Sequence, residues 1–101
     1  MRKHINGIDH AVITVRDLDT AEDTFRRMGF TPTPRGHHTL GSQNHCVMFG
    51  RNYLELLMVP QRLPGREYYY DFARIGDGLA AIALKTDNVR GAYGELTAAA
   101  Y

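Results

Sequence analysis

The chain has 101 residues, a formal charge of +1, 44% apolar and 23% charged residues, the composition of one soluble globular domain with a modest core. Lysine and arginine are scattered, so no block of charge suits nucleic acid or an anionic membrane, and no run of about 18 apolar residues would span a bilayer. The basic N-terminus has no apolar run behind it, unlike a signal peptide, and the single Cys46 cannot form an internal disulfide, so a reducing, cytoplasmic setting is expected.

Residues 8–15, IDHAVITV, predict a β-branched strand. Its alternation puts Ile8, His10, Val12 and Thr14 on one face, and Asp9, Ala11, Ile13 and Val15 on the other. In DLDTAEDTFRRMGF, Asp19 followed by Glu22 predicts a capping box. Leu18, Ala21, Phe25 and Met28 form an apolar stripe at helical spacing. Arg26, Arg27 and Gly29 suit a helix C-terminus, so a helix is expected from about residue 20 to 28. Pro32 and Pro34 then predict an edge strand or loop. RGHHTLGSQN reads as a polar loop, and HCVMF (45–49) and NYLELLMV (52–59) as two strands joined by a tight GRN turn. Residues 60–77 read as a connector with a short helix around 66–75. Its three tyrosines at 68, 69 and 70 cannot share a face, so they make no single binding stripe.

The remainder, GLAAIALKTDNVRGAYGELTAAAY, lies without a gap under GIDHAVITVRDLDTAEDTFRRMGF at an offset of 78 − 7 = 71. Ile8 meets Leu79, Ile13 meets Leu84, Leu18 meets Val89, Ala21 meets Ala92, Phe25 meets Leu96 and Phe30 meets Tyr101. The pattern predicts two copies of one strand–helix module: residues 1–59, then, after the connector, 78–101, where only a strand and a helix are present. A half-module leaves an open sheet edge and an apolar face, so the chain reads as a fragment or as one half completed by a partner. His10 falls against Ala81, so the module does not need the imidazole as structure.

Two residues stand out chemically. His10 is an imidazole inside an apolar strand; a hydrogen-bonded core histidine is the plain alternative. Glu55 is the one carboxylate in an otherwise apolar strand, sharing a face with Tyr53, Leu57 and Val59; an outward-facing position on an exposed edge is the plain alternative. A buried carboxylate without a partner is costly. Imidazole plus carboxylate is a common set for Zn, Fe, Mn or Ni as divalent ions. His37 and His38 cannot point the same way in an extended loop, and His45 can face either side of its strand. Cys46 reads as a small core residue, and Arg16 and Arg51 as solvated, with contact to an anionic substrate as the alternative for either.

The strand DHAVITV, a capped helix ending in MGF and the later strand YLELL together resemble the glyoxalase-like, vicinal oxygen chelate superfamily. The likeness spans about residues 7–59, and the repeat from 78 suits that family's paired βαβββ modules. It implies an α+β fold whose modules curl around a metal site. It places His10 and Glu55 on metal-ligand positions, with Glu55 also able to move a proton. GHHTLGSQNHCVMFGRNYLELL further resembles the subgroup called glyoxalase-like domain, whose loop carries a His and a Gly before an Asn, here His38, Gly41 and Asn44. On that resemblance His38, Asn44 and Tyr53 would face a substrate. Ala81 departs from the pattern, because the second module's first strand would be expected to supply another ligand.

The resemblance implies a divalent-metal enzyme for a small oxygen-rich substrate, of lyase, isomerase or dioxygenase type, acting as a homodimer. A non-catalytic drug-binding protein of the bleomycin-resistance kind, and a degenerate module kept for assembly, are the other two readings.

Overall fold

The computed structural model describes residues 3–100. Met1 and Arg2 of the basic N-terminus, and Tyr101, matched to Phe30 in the repeat, lie outside the described residues. The elements run β1 (Gly7–Thr14), α1 (Leu18–Arg27), β2 (Gly36–His37), β3 (Gln43–Met48), β4 (Tyr53–Met58), α2 (Glu67–Ile75), β5 (Gly78–Lys85) and α3 (Val89–Ala99). The strands form one mixed sheet in the order β2-β3-β4-β1-β5. β1 lies inside it, parallel to β4 and antiparallel to β5. The fold is α+β: a full βαβββ unit followed by the strand and helix of a second.

The repeat holds in three dimensions. Adding 71 to the bounds of β1 gives 78 and 85, the bounds of β5. The same offset carries the N-cap of α1, Asp17, onto the N-cap of α3, Asn88. Each side chain accepts from a backbone N–H three residues on, Thr20 and Gly91, again 71 apart.

That cap corrects one expectation. Asp17, not Asp19, caps α1, which therefore starts at Leu18 rather than near residue 20. Asp17 Oδ1 accepts from the Thr20 N–H at 3.1 Å, and Oδ2 from the Thr20 hydroxyl at 2.8 Å. Asp19 instead pairs with Arg35, and Glu22 with Arg26 one turn along, so no capping box forms. A second correction concerns the polar loop: Gly36 and His37 pair with Asn44 and Gln43 as a short outer strand. The reversal between them is a turn in which His38 N–H donates to the Ser42 carbonyl and Gly41 N–H to the His38 carbonyl. Gly41 takes a φ of +97° there, a conformation that favours glycine.

One face of the sheet carries the core. Val15, Leu18 and Leu56 are buried together, with Ile13, Ala21, Phe25 and Met58 packed against them. Period-two alternation on β1 and β4 meets the 3.6-residue stripe of α1, which is why this face is apolar. α2 lies against β1 and β5.

Leu56 is 0% exposed. Leu56→Ala is expected to destabilise the fold by about 2–5 kcal/mol, measured by urea unfolding. The bonds from Thr20 hold the Asp17 carboxyl below its ordinary value. A carboxyl depressed in the folded state stabilises above its unfolded pKa, and that gain is lost as pH falls through the folded one. Asp17→Asn, which copies Asn88 in the second unit, should retain stability at neutral pH. It should also flatten the loss of stability below roughly pH 4, read from urea midpoints at a series of pH values.

Candidate active site

The other face of the sheet holds the chemistry. The parallel register sets His10 beside Tyr53 and Val12 beside Glu55. The His10 ring stacks on Tyr53, centroids 4.5 Å apart and planes 7° apart. Its Nε2 lies 3.6 Å from Glu55 Oε1. Both side chains are mostly shielded, 20% and 14% exposed, at the floor of a recess of about 170 Å³ that is also lined by Val12, His38, Ser42 and Leu57.

Each of the two donors is oriented by a neighbour. His10 Nδ1 donates to Asp9 Oδ2 at 2.8 Å, since an ionised carboxylate can only accept. With Nδ1 so used, Nε2 is the ring nitrogen set opposite Glu55. Strict alternation predicts Asp9 on the opposite face from His10. The register of β1 against β5 skips between Ile8 and His10, and such a bulge re-aims the extra residue. Sequence reasoning missed Asp9 as a partner, although its adjacency to His10 was the available signal.

Glu55 is oriented from the other side. Asn44 Nδ2 donates to Glu55 Oε2 at 2.8 Å. The Asn44 amide has room because residue 36 is glycine: a Cβ there would stand 2.3 Å from Asn44 Oδ1. His38 lines the recess, and its Nδ1 shares a 2.5 Å hydrogen bond with the Ser42 hydroxyl. Of the residues singled out in the sequence, His10, Glu55, His38, Asn44 and Tyr53 are thus brought to one side of the sheet. His45 goes to the other. It is buried, its Nδ1 donates to the Thr33 carbonyl at 2.6 Å, and its Nε2 lies 3.6 Å from Glu22 Oε1 of α1. His37 is exposed.

Cys46 is not a core residue: it pairs in register with Glu55 and is only half-buried. Burial, and then the Glu55 carboxylate, push its thiol up. The Tyr53 hydroxyl is pushed up by burial and then by Glu55, Asp9 and Cys46. Neither is a ready anion at neutral pH. Among the described residues no group of three or more His, Cys, Asp or Glu side chains is gathered to hold a metal. On β5, Ala83 lies across from His10 and Ala81 across from Val12, so that strand adds no donor at these positions. His10 and Glu55 fit a divalent ion as two of its ligands.

The family described as glyoxalase-like domain matches residues 8–101. The chain belongs to the glyoxalase-like domain family. That family lies in the vicinal oxygen chelate superfamily. The fold is also that of methylmalonyl-CoA epimerase from Streptomyces coelicolor, solved with 2-nitronate-propionyl-CoA: TM-score 0.78, 21% identity, over 93% of this chain and 71% of that one. The epimerase from Mycobacterium tuberculosis matches with TM-score 0.79 and 16% identity, over 97% and 67%. A hypothetical protein from Bacillus halodurans matches with TM-score 0.73 and 17% identity, over 90% and 66%. No curated protein matches in sequence. No helix among the described residues is long and apolar enough to cross a membrane.

The glyoxalase-like chain offers a direct probe of its site charge. Replacing Glu55 by Gln removes a negative charge beside Cys46, so the thiolate becomes easier to form. The pH profile of iodoacetamide labelling at Cys46 is expected to move to lower pH in Glu55→Gln and to stay in place in Glu95→Gln, a carboxylate held instead by the N–H groups of Lys3 and His4.

Proposed function

We propose that this chain carries the metal-binding and proton-moving half of a glyoxalase-like enzyme of isomerase type, acting on a small oxygen-rich substrate. The observation that supports it is the His10–Glu55 pair: two donors 3.6 Å apart, lining one recess, each fixed by a hydrogen bond to a neighbour. An imidazole whose far nitrogen donates to a carboxylate is the usual arrangement of a metal-ligating histidine. Zn, Fe, Mn and Ni as divalent ions all suit the donor set. When bound, such an ion supplies Lewis-acid charge next to a developing oxyanion.

The residues then divide the work. His10 and Glu55 would hold the ion. Tyr53 stacks on the imidazole and limits its rotation. Glu55 has a second oxygen, held by Asn44, and accepts or returns a proton at the carbon next to a substrate carbonyl. His38 lines the recess, and Asn44 acts through Glu55. Lyase and dioxygenase chemistry occur on this architecture too; the epimerase likeness of the fold favours isomerisation. Remaining ligands would be water, substrate oxygens or groups from a second copy. A homodimer is supported by β5, which pairs on one edge with β1 and exposes Leu79, Ile82 and Leu84. A cytoplasmic setting follows from the lone thiol.

A sequestering protein is the second reading, favoured by the alanines that β5 places across from His10 and Val12. Metal uptake separates the two. Protein freed of metal and dialysed against Zn²⁺, Mn²⁺ or Fe²⁺ should retain one of them near stoichiometry. His10→Ala should retain none, and Asp9→Asn should bind about 10–100-fold more weakly, by mass spectrometry and competition with a chelating dye. Wild-type protein that takes up no ion sinks the metalloenzyme reading.

A further inference from the structure

The recess that holds His10 and Glu55 is also walled by Arg66 and Tyr69, at the start of α2. Arg66 is half-buried. Its guanidinium donates from Nη1 to the Gly65 carbonyl at 3.1 Å, which uses one of its five N–H donors. Among the described residues no carboxylate lies within 4.0 Å of it. Arg16, Arg26, Arg27, Arg35 and Arg62 each pair with an aspartate or glutamate, and Arg74 lies over the Tyr70 ring. Arg51 and Arg90 also lack a carboxylate, but both are exposed and line none of the recesses. Arg74 lines a different recess, beside Val15 and Pro60; Arg66 is the arginine that lines the recess of His10 and Glu55, with no carboxylate among the described residues paired to it.

A guanidinium held partly out of water, with its fork open, recognises an oxyacid group. The recess also contains the Glu55 carboxylate, which alone would repel an anion. A cation on the same wall offsets that repulsion and fixes which end of a substrate meets Glu55. The volume, about 170 Å³, is small beside the roughly 300–1,000 Å³ of sites for drug-sized ligands.

We propose that Arg66 is the anion anchor of this recess: the substrate carries a carboxylate or phosphate that Arg66 holds while its carbonyl end reaches His10 and Glu55. The ligand is then a small oxo acid, or the acid end of a larger molecule. This inference rests on reading His10 and Glu55 as the reacting pole. It makes Arg66 a specificity-determining residue rather than a metal ligand.

The test uses the whole chain stripped of metal and then dialysed free of chelator, so that neither a metal-bound anion nor the chelator's own carboxylates contribute. Malonate, inorganic phosphate and neutral malonamide are titrated in turn, followed by NMR shifts of the Arg66 guanidinium and of residues around the recess. Malonate or phosphate should bind and malonamide should not; the tighter of the two anions identifies carboxylate or phosphate as the natural group. Arg66→Lys should weaken binding about tenfold or more, the size of one charge-assisted hydrogen bond. Arg66→Gln should abolish it, with far-UV circular dichroism unchanged in both. Arg90→Gln, at an exposed arginine that lines none of the recesses, should bind the anion as wild type does. Anion binding lost only in Arg66→Gln, with wild type taking up no metal, upholds the anchor and counts against the metal reading alone. Equal anion binding by wild type and Arg66→Gln, or none by wild type, overturns the anchor.

Discussion

The parallel register of β1 against β4 is the constraint on which the site depends. A shift of one residue would turn one strand's chemistry to the other face, because side chains alternate with a period of two. In the observed register His10 lies on Tyr53 and Glu55 beside Val12. The same register sends Ile13 and Leu56 together to the other face, under α1. Core and site are thus fixed by one pairing. Burying Leu56 and Leu18 holds the register, and the register brings an imidazole within 3.6 Å of a carboxylate. A parallel pair requires a crossover connection, and here α1 with the β2–β3 hairpin supplies it.

The two donors are held by different devices. His10 is oriented by its own sequence neighbour, through a bulge that brings the Asp9 carboxylate alongside the ring. Glu55 is oriented across the sheet by Asn44, which has its place because Gly36 on the outer strand lacks a side chain. Each hydrogen bond occupies one polar atom of its group, and Nε2 and Oε1 are the atoms left opposite one another, 3.6 Å apart.

Much of this was legible in the sequence. An imidazole and a carboxylate in two apolar strands are conspicuous because burial penalises both, and the faces assigned to His10, Val12, Tyr53, Glu55 and Leu57 follow from alternation alone. The gapless offset of 71 was readable as well, since apolar periodicity survives low identity. Four features were not legible. Asp17 won the cap over Asp19 because helix entry is set by backbone geometry at the end of β1, not by the nearest acidic residue with a glutamate after it. Asp9 escaped because a bulge breaks alternation, and bulges leave no mark in a run of β-branched residues. Arg66 escaped because its significance is an absence of carboxylate partners, which exists only once the chain is folded. Cys46 was misplaced for a related reason: a small half-buried residue carries no face preference until its strand is registered.

The two copies show how little of the framework the chemistry consumes. β1 and β5 share bounds at one offset, and α1 and α3 share a cap position with Asp17 in one and Asn88 in the other. What differs is what faces the recess. His10 in the first strand meets Ala83 across the pair, and Val12 meets Ala81. Alanine at both positions keeps β5 close to β1 without filling the space before the imidazole. A candidate site in the first copy and alanines in the second are therefore different uses of one module. The second strand adds no donor across from His10 and Val12, and further polarity in the recess comes from the connector, through Arg66 and Tyr69. A substrate bound there would meet a proton-handling carboxylate from the repeated framework and a cation from the segment that the repeat does not contain. The repeated modules thus supply the place for chemistry, and the unrepeated connector is where selection among substrates can change without disturbing the register that holds it.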